Sequence, residues 1–181
     1  MSISANESQE QGIKLFKQKE YEAAARSFQE ASDAYNAAGQ RDMAAEMMTN
    51  IGLVNRALGE NQQALDVMNQ ALTVFQELND VLRAAKVLGN MGGVYMALGD
   101  REQAYNAYRH AADVFQELGE KALHGETLLA MSQLQIKGGK INAAAATYEA
   151  GLSQLDHLSA SQRLLKGLLG VRNRLSGANL D

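Results

Sequence analysis

Three histidines, His110, His124 and His157, are the side chains best suited to proton transfer in this chain, and none has an acidic or nucleophilic companion at a meaningful spacing. The sequence has no cysteine, which removes disulfide and thiolate–metal chemistry. It has no His-x-x-x-His pair for zinc, and the Gly-x-x-Gly-Gly cluster of Gly89, Gly92 and Gly93 lies within a helical stretch, so it is not a phosphate-binding loop. No catalytic residue, cofactor or metal is therefore expected. The chemistry that remains is recognition. Asn50 and Asn90 lie at matching positions of two similar stretches of the chain. A carboxamide offers both a donor and an acceptor, so such a pair either holds an extended peptide by its backbone or bonds to a neighbouring helix.

The elements that must carry these groups are helices. The 181 residues are 46% hydrophobic, contain no proline, and are rich in Ala, Leu, Gln and Glu, which leaves glycine as the main helix breaker. The opening Met1-Ser-Ile-Ser-Ala-Asn-Glu has neither a basic region nor an apolar core, and no apolar run reaches the ~18 residues of a membrane helix. A cytoplasmic, soluble protein is expected, with no membrane partner. The net charge of −4 argues against nucleic acid, whose binding needs a basic footprint.

The chain repeats itself at a fixed interval. Gly12, Gly52, Gly92 and Ser132 form one column; Ala24, Ala64, Ala104 and Ala144 a second; Phe28, Met68, Tyr108 and Tyr148 a third. Two more run through Ala31, Ala71, Ala111 and Gly151, and through Tyr35, Phe75, Phe115 and Leu155. Fixed-period self-similarity of this kind is the signature of a repeat architecture. Apolar residues inside each unit recur at helical spacing, and breaks at Leu58-Gly59, Leu98-Gly99 and Gly138-Gly139 divide each unit into two helices. The second helices should stop at Ala38-Gly39, Leu78-Asn79, Leu118-Gly119 and Leu158-Ser159. Small columns let helices approach; large columns fill the remaining space. Ser4 and Glu7 are spaced for a capping box, and Asn55 and Gln135, where repeat three has Tyr95, suggest looser packing in repeats two and four.

Met91-Gly92, Val94-Tyr95, Leu98-Gly99, Ala104, Tyr108 and Ala111 resemble the tetratricopeptide repeat. That pattern is usually about 34 residues long. The 40-residue interval is similar to the subclass found in kinesin light chains and in adaptors of G-protein signalling. The resemblance implies an all-α, right-handed α-solenoid, a single domain over residues 1–181. Its repeats fall at about 4–39, 40–79, 80–119 and 120–159, with a capping helix at about 160–176. It also implies a non-catalytic scaffold that binds a short peptide or amphipathic helix of another protein in the concave groove lined by the first helices.

On that resemblance Gln9, Glu10, Ile13, Phe16 and Lys17 face the groove in repeat one, and Glu46, Thr49, Asn50, Leu53 and Arg56 in repeat two. Lys86, Gly89, Asn90, Gly93, Met96 and Ala97 follow in repeat three, and Glu126, Leu129, Ala130, Gln133, Ile136 and Lys137 in repeat four, with Lys166, Leu169 and Asn173 closing the end. Cations outnumber acids there, so the ligand should be neutral to mildly acidic with apolar anchors. Gly89 and Gly93 are one turn apart. They form either a notch for a bulky ligand group or a close helix contact. The carboxylate clamp of chaperone-tail binders in the family is not completed, because Gln9 and Ile13 stand where Lys and Asn are expected.

After repeat four, Leu164, Leu165, Leu168, Val171 and Leu175 form an apolar stripe. The same segment carries Arg163, Lys166, Arg172 and Arg174 and no acid. The reading adopted is a lid on repeat four, with a basic helix for a membrane or acidic partner as the alternative. A competing function for the whole chain is self-assembly, with the groove or lid of one copy packing on another.

Overall fold

A computed structural model describes residues 4–177, with side chains through residue 170. Val171, Arg172, Asn173, Arg174 and Leu175, as side chains, lie outside the described residues, as does the Met1-Ser2-Ile3 start. The described residues are all helical: α1 Ala5–Lys17, α2 Tyr21–Ala37, α3 Arg41–Leu58, α4 Asn61–Glu77, α5 Val81–Leu98, α6 Arg101–Glu117, α7 Lys121–Lys137, α8 Ile141–Ser153 and α9 Ala160–Gly177. They make a helical solenoid of repeats. Two compact units can be distinguished, Met1–Ala104 and Tyr105–Asp181.

The punctuation is more regular than the repeat itself. Lys19, Gly39, Gly59, Asn79, Gly99, Gly119 and Gly139 all have positive φ, evenly spaced at half the repeat interval. At Gly39 the chain closes α2 with a Schellman motif: the Gln40 N–H donates to the Tyr35 carbonyl at 2.9 Å and the Gly39 N–H to the Asn36 carbonyl at 3.0 Å. Lys19 and Asn79 take the same conformation without being glycine. Helix starts are less uniform. Ser4 and Glu7 form the expected capping box, and Asp80 and Asp100 accept from the N–H groups of Arg83 and Gln103.

In the first unit the second helices α2 and α4 contribute the predicted columns to the core, and α3 and α5 add buried residues outside those columns. Ala24, Phe28, Ala31 and Tyr35 of α2 pack with Ala44, Met47 and Val54 of α3. Ala45, Ala64, Met68, Ala71, Phe75, Val87, Met91 and Val94 form the next layer across α3, α4 and α5. Burying each large member stabilises by about 1.5–3 kcal/mol. The small column is needed sterically. A Cβ at Gly12 would meet the Phe28 ring at 2.7 Å, and one at Gly52 would meet Met68 Cγ at 2.6 Å. The Tyr35 hydroxyl lies 2.5 Å from Asn6 Oδ1 and 2.7 Å from Gln9 Oε1, tying α2 to α1.

In the second unit α7 and α8 cross on a pair of glycines. A Cβ at Gly125 would lie 2.8 Å from the Gly151 carbonyl, and one at Gly151 would lie 2.9 Å from that of Gly125. The column-mates of these two in repeat two, Ala45 and Ala71, keep their methyl groups.

Two details depart from the sequence expectation. The second helix of repeat four stops at Ser153, not at Leu158-Ser159. The Ser153 hydroxyl turns back to the Ala150 carbonyl at 2.7 Å. Ser159 starts a helix instead of ending one: its Oγ accepts from the Gln162 N–H at 3.2 Å, and its own N–H donates to Gln162 Oε1 at 2.8 Å. That reciprocal pair is a capping box for α9. The second departure concerns α9. The helix is at its expected place and touches α8, but Leu164, Leu165 and Leu168 are 68%, 39% and 59% exposed. Leu169 and Gly170 are the half-buried positions.

Candidate functional site

The groove residues of repeats one and two meet in a real concavity. Ile13, Phe16 and Lys17 from α1, Asn50 and Leu53 from α3, and Phe28 from α2 line a pocket of ≈190 Å³. For scale, an engineered apolar cavity of about 150 Å³ holds benzene. The floor is the buried Phe28 ring, which reaches this position because Gly12 has no side chain to push it aside. Phe16 stands on the wall with its ring tilted at 59° to Tyr21, centroids 5.6 Å apart. Ile13, Phe16 and Leu53 all retain accessible apolar surface, and Lys17 is exposed. Asn50 is half-buried, and its carboxamide makes no hydrogen bond to the protein among the described residues. The pocket thus offers apolar walls, one free amide and one cation.

The helix that presents Asn50 is held by a charge cluster. Arg83 of α5 contacts Asp80 at 2.5 Å, Asp42 at 3.1 Å and Glu46 at 3.7 Å, and its guanidinium lies 5.0 Å from the Phe75 ring centroid. Hydrogen bonding from Arg83 is the main cause that holds the Asp42 carboxyl below its ordinary range. Burial pushes Asp80 up, but the Arg83 N–H, guanidinium and charge outweigh it, so Asp80 is also lowered. Burial likewise works against the Arg83 charge, and its two aspartates reverse the effect and raise it. The Tyr35 hydroxyl is raised by burial and then by Glu46.

The remaining expected contacts divide by element. Arg56 is exposed at the end of α3. On α5, Lys86 is exposed, Gly89, Asn90 and Met96 are half-buried, and Gly93 is buried, so the two glycines are not equivalent. Asn90, like Asn50, has no side-chain hydrogen bond among the described residues. Thr49 is buried and its hydroxyl donates to the Ala45 carbonyl at 3.0 Å, which turns it away from ligand duty. Leu129, Gln133 and Ile136 belong to α7 in the second unit. Gln133 and Ile136 are exposed, whereas Leu129 leans on Gly151, its Cδ2 lying 3.0 Å from where a Cβ there would sit. Phe28 is not among the expected site residues. Its sequence signal is its fixed offset from Gly12, which Met68 repeats after Gly52.

Among the described residues no group of three or more His, Asp or Glu could hold a metal ion, and no helix is long and apolar enough to cross a membrane. The Gln135 Oε1 is buried without a partner, at the column where repeat three has Tyr95.

The profile of a family described as "SNAP: Soluble NSF attachment protein, SNAP" matches residues 3–168. Among solved structures, a crystal structure of BtubC (BKLC) from P. vanneervenii is similar with a TM-score of 0.73. The match covers 86% of this chain and 68% of that chain at 18% identity, which shows a common fold. No curated protein matches the sequence.

Proposed function

The chain belongs to the soluble NSF attachment protein family, and from that membership we propose a non-catalytic adaptor that holds a short peptide segment or amphipathic helix of a partner protein on the first helices of its repeats. Helical-repeat proteins of this kind are in general protein-interaction scaffolds, and the family name itself describes attachment. We read the 40-residue interval as that of the longer-helix tetratricopeptide subclass, and the site of action as the cytoplasm. The observation that carries the proposal is the pocket of Ile13, Phe16, Phe28 and Leu53 beside the unbonded amide of Asn50. One bulky apolar side chain of the partner enters it, and Asn50 takes the adjoining backbone N–H and carbonyl. Lys17 and Arg56 favour a ligand with a carboxylate near the anchor. Asn90, Lys86, Gly89, Gly93 and Met96 extend the surface along α5, and Gln133, Ile136 and Leu129 supply that of α7.

The test is a peptide selected by the full chain from a random display library, its affinity then followed by fluorescence anisotropy. Asn50→Ala removes two backbone hydrogen bonds and should weaken binding about tenfold or more at an unchanged melting temperature. Ile13→Glu should abolish it. Peptides that bind both variants as well as the parent would overturn the pocket assignment. A mass that rises with concentration in light scattering, reversed by Ile13→Glu, would instead favour self-assembly through this face.

A further inference from the structure

We propose that α9 is an interfacial helix that docks the protein on an anionic lipid surface. The helix touches α8, yet Leu164, Leu165 and Leu168 point outward with 68%, 39% and 59% of their surface exposed. At helical spacing these three fall within a sector of about 100°. Arg163 and Lys166 are exposed on the opposite side. Nothing lies within 4 Å of where a Cβ would stand on Gly167 or Gly170. The two glycines fall on the side of Arg163 and Lys166; on the leucine side it is the exposure of the three leucines themselves that leaves the face uncovered among the described residues.

Charge decides the occupant. The α9 segment holds four of the 17 Lys and Arg residues and none of the 21 Asp and Glu, in a chain whose net charge is −4. A basic polar face behind an apolar one, in a helix too weakly apolar to cross a bilayer, is the arrangement of helices that lie in the headgroup boundary. An acidic protein groove would satisfy the charge as well. Interface hot spots are enriched in Trp, Tyr and Arg, with Leu under-represented; α9 has arginines, but its apolar side is leucine with no aromatic residue. A lipid surface asks only for apolar area and positive charge. The helix and the α1–α3 pocket are separate features, and neither reading depends on the other.

The test is flotation of the full chain with vesicles of phosphatidylcholine alone and with about one-third phosphatidylserine. Binding is expected only to the anionic vesicles and should weaken as salt screens the charges. Arg163→Gln with Lys166→Gln should lower partitioning about thirtyfold, the effect of two surface charges. Leu164→Ser with Leu168→Ser should lower it by about tenfold or more. All four positions are exposed, so the helical melting curve should not move. No flotation, equal flotation with neutral vesicles, or flotation that survives both double variants would overturn the proposal. So would sedimentation showing a dimer that the leucine variant disperses, since a second copy would then cover the face.

Discussion

Gly12 and Gly52 hold the same post in successive repeats, but the side chains that press on them yield differently. Phe28 is a rigid ring that borders the α1–α3 pocket, and Met68 is a flexible chain, but fully enclosed and pressing through its Cγ, with the Ala64 carbonyl 3.3 Å from where the Gly52 Cβ would stand. Both Gly12→Ala and Gly52→Ala should therefore destabilise the fold. An overpacking penalty of about 1–3 kcal/mol is partly offset by the ~1 kcal/mol gained in helix propensity. Urea unfolding of the two single variants, and of Gly12→Ala combined with Phe28→Leu, measures this. The double change should recover part of the loss, because the smaller side chain vacates the contact. A Gly12→Ala protein as stable as the parent would show that α1 and α2 can separate freely. At this scale the site is half legible in the sequence. Asn50 and Leu53 are among the groove positions that the family resemblance implies. Phe28 reads as a packing column on a second helix, and its place in the pocket depends on how closely α1 crosses α2.

Arg83 works at the scale of elements, since its carboxylate partners lie on α3 and at the start of α5 while its guanidinium covers a ring of α4. Arg83→Met keeps the stem and removes the charge. It should lower stability at neutral pH by about 1–2 kcal/mol, combining the cation–π contact with partly exposed ion pairs. The pH dependence has a definite sign. Asp42 and Asp80 are both lowered from the ordinary value of 3.8, so their contribution is complete above that value and is lost as pH falls through their folded-state values. The gap between the parent and Arg83→Met in thermal melts should therefore narrow progressively as pH falls below about 4, leaving the cation–π part; a gap that stays constant down to acid pH would remove the brace. The sequence hides this cluster because Asp42 and Arg83 pair across hairpins, which no periodicity reveals. Ser159 reads as a helix stop by its place in the repeat, when the Ser-x-x-Gln spacing to Gln162 is a helix start. The helices themselves are legible because glycine and Asn punctuate them and the apolar spacing between those marks is helical.

For the molecule as a whole, the outward leucines of α9 bear on what truncation does. Leu164, Leu165 and Leu168 bury little surface against the repeats, so a chain ending at Ser159 should melt within a few degrees of the parent and stay soluble. Aggregation of the shortened chain, read by light scattering during the melt, would show instead that α9 protects Tyr148 and Leu155. The repeat columns also explain why repeat four is the less tightly filled: its Tyr148 and Leu155 are half-buried, where Phe28 and Phe75 are buried. The left-handed joints carry a different consequence, for heredity. Because they recur at an even spacing from Lys19 to Gly139, unequal recombination between two repeats in the same phase would remove or duplicate one whole hairpin and leave each remaining joint at its proper interval. The architecture can therefore change length in whole units in a single genetic event, while the residues that shape each joint stay as they are.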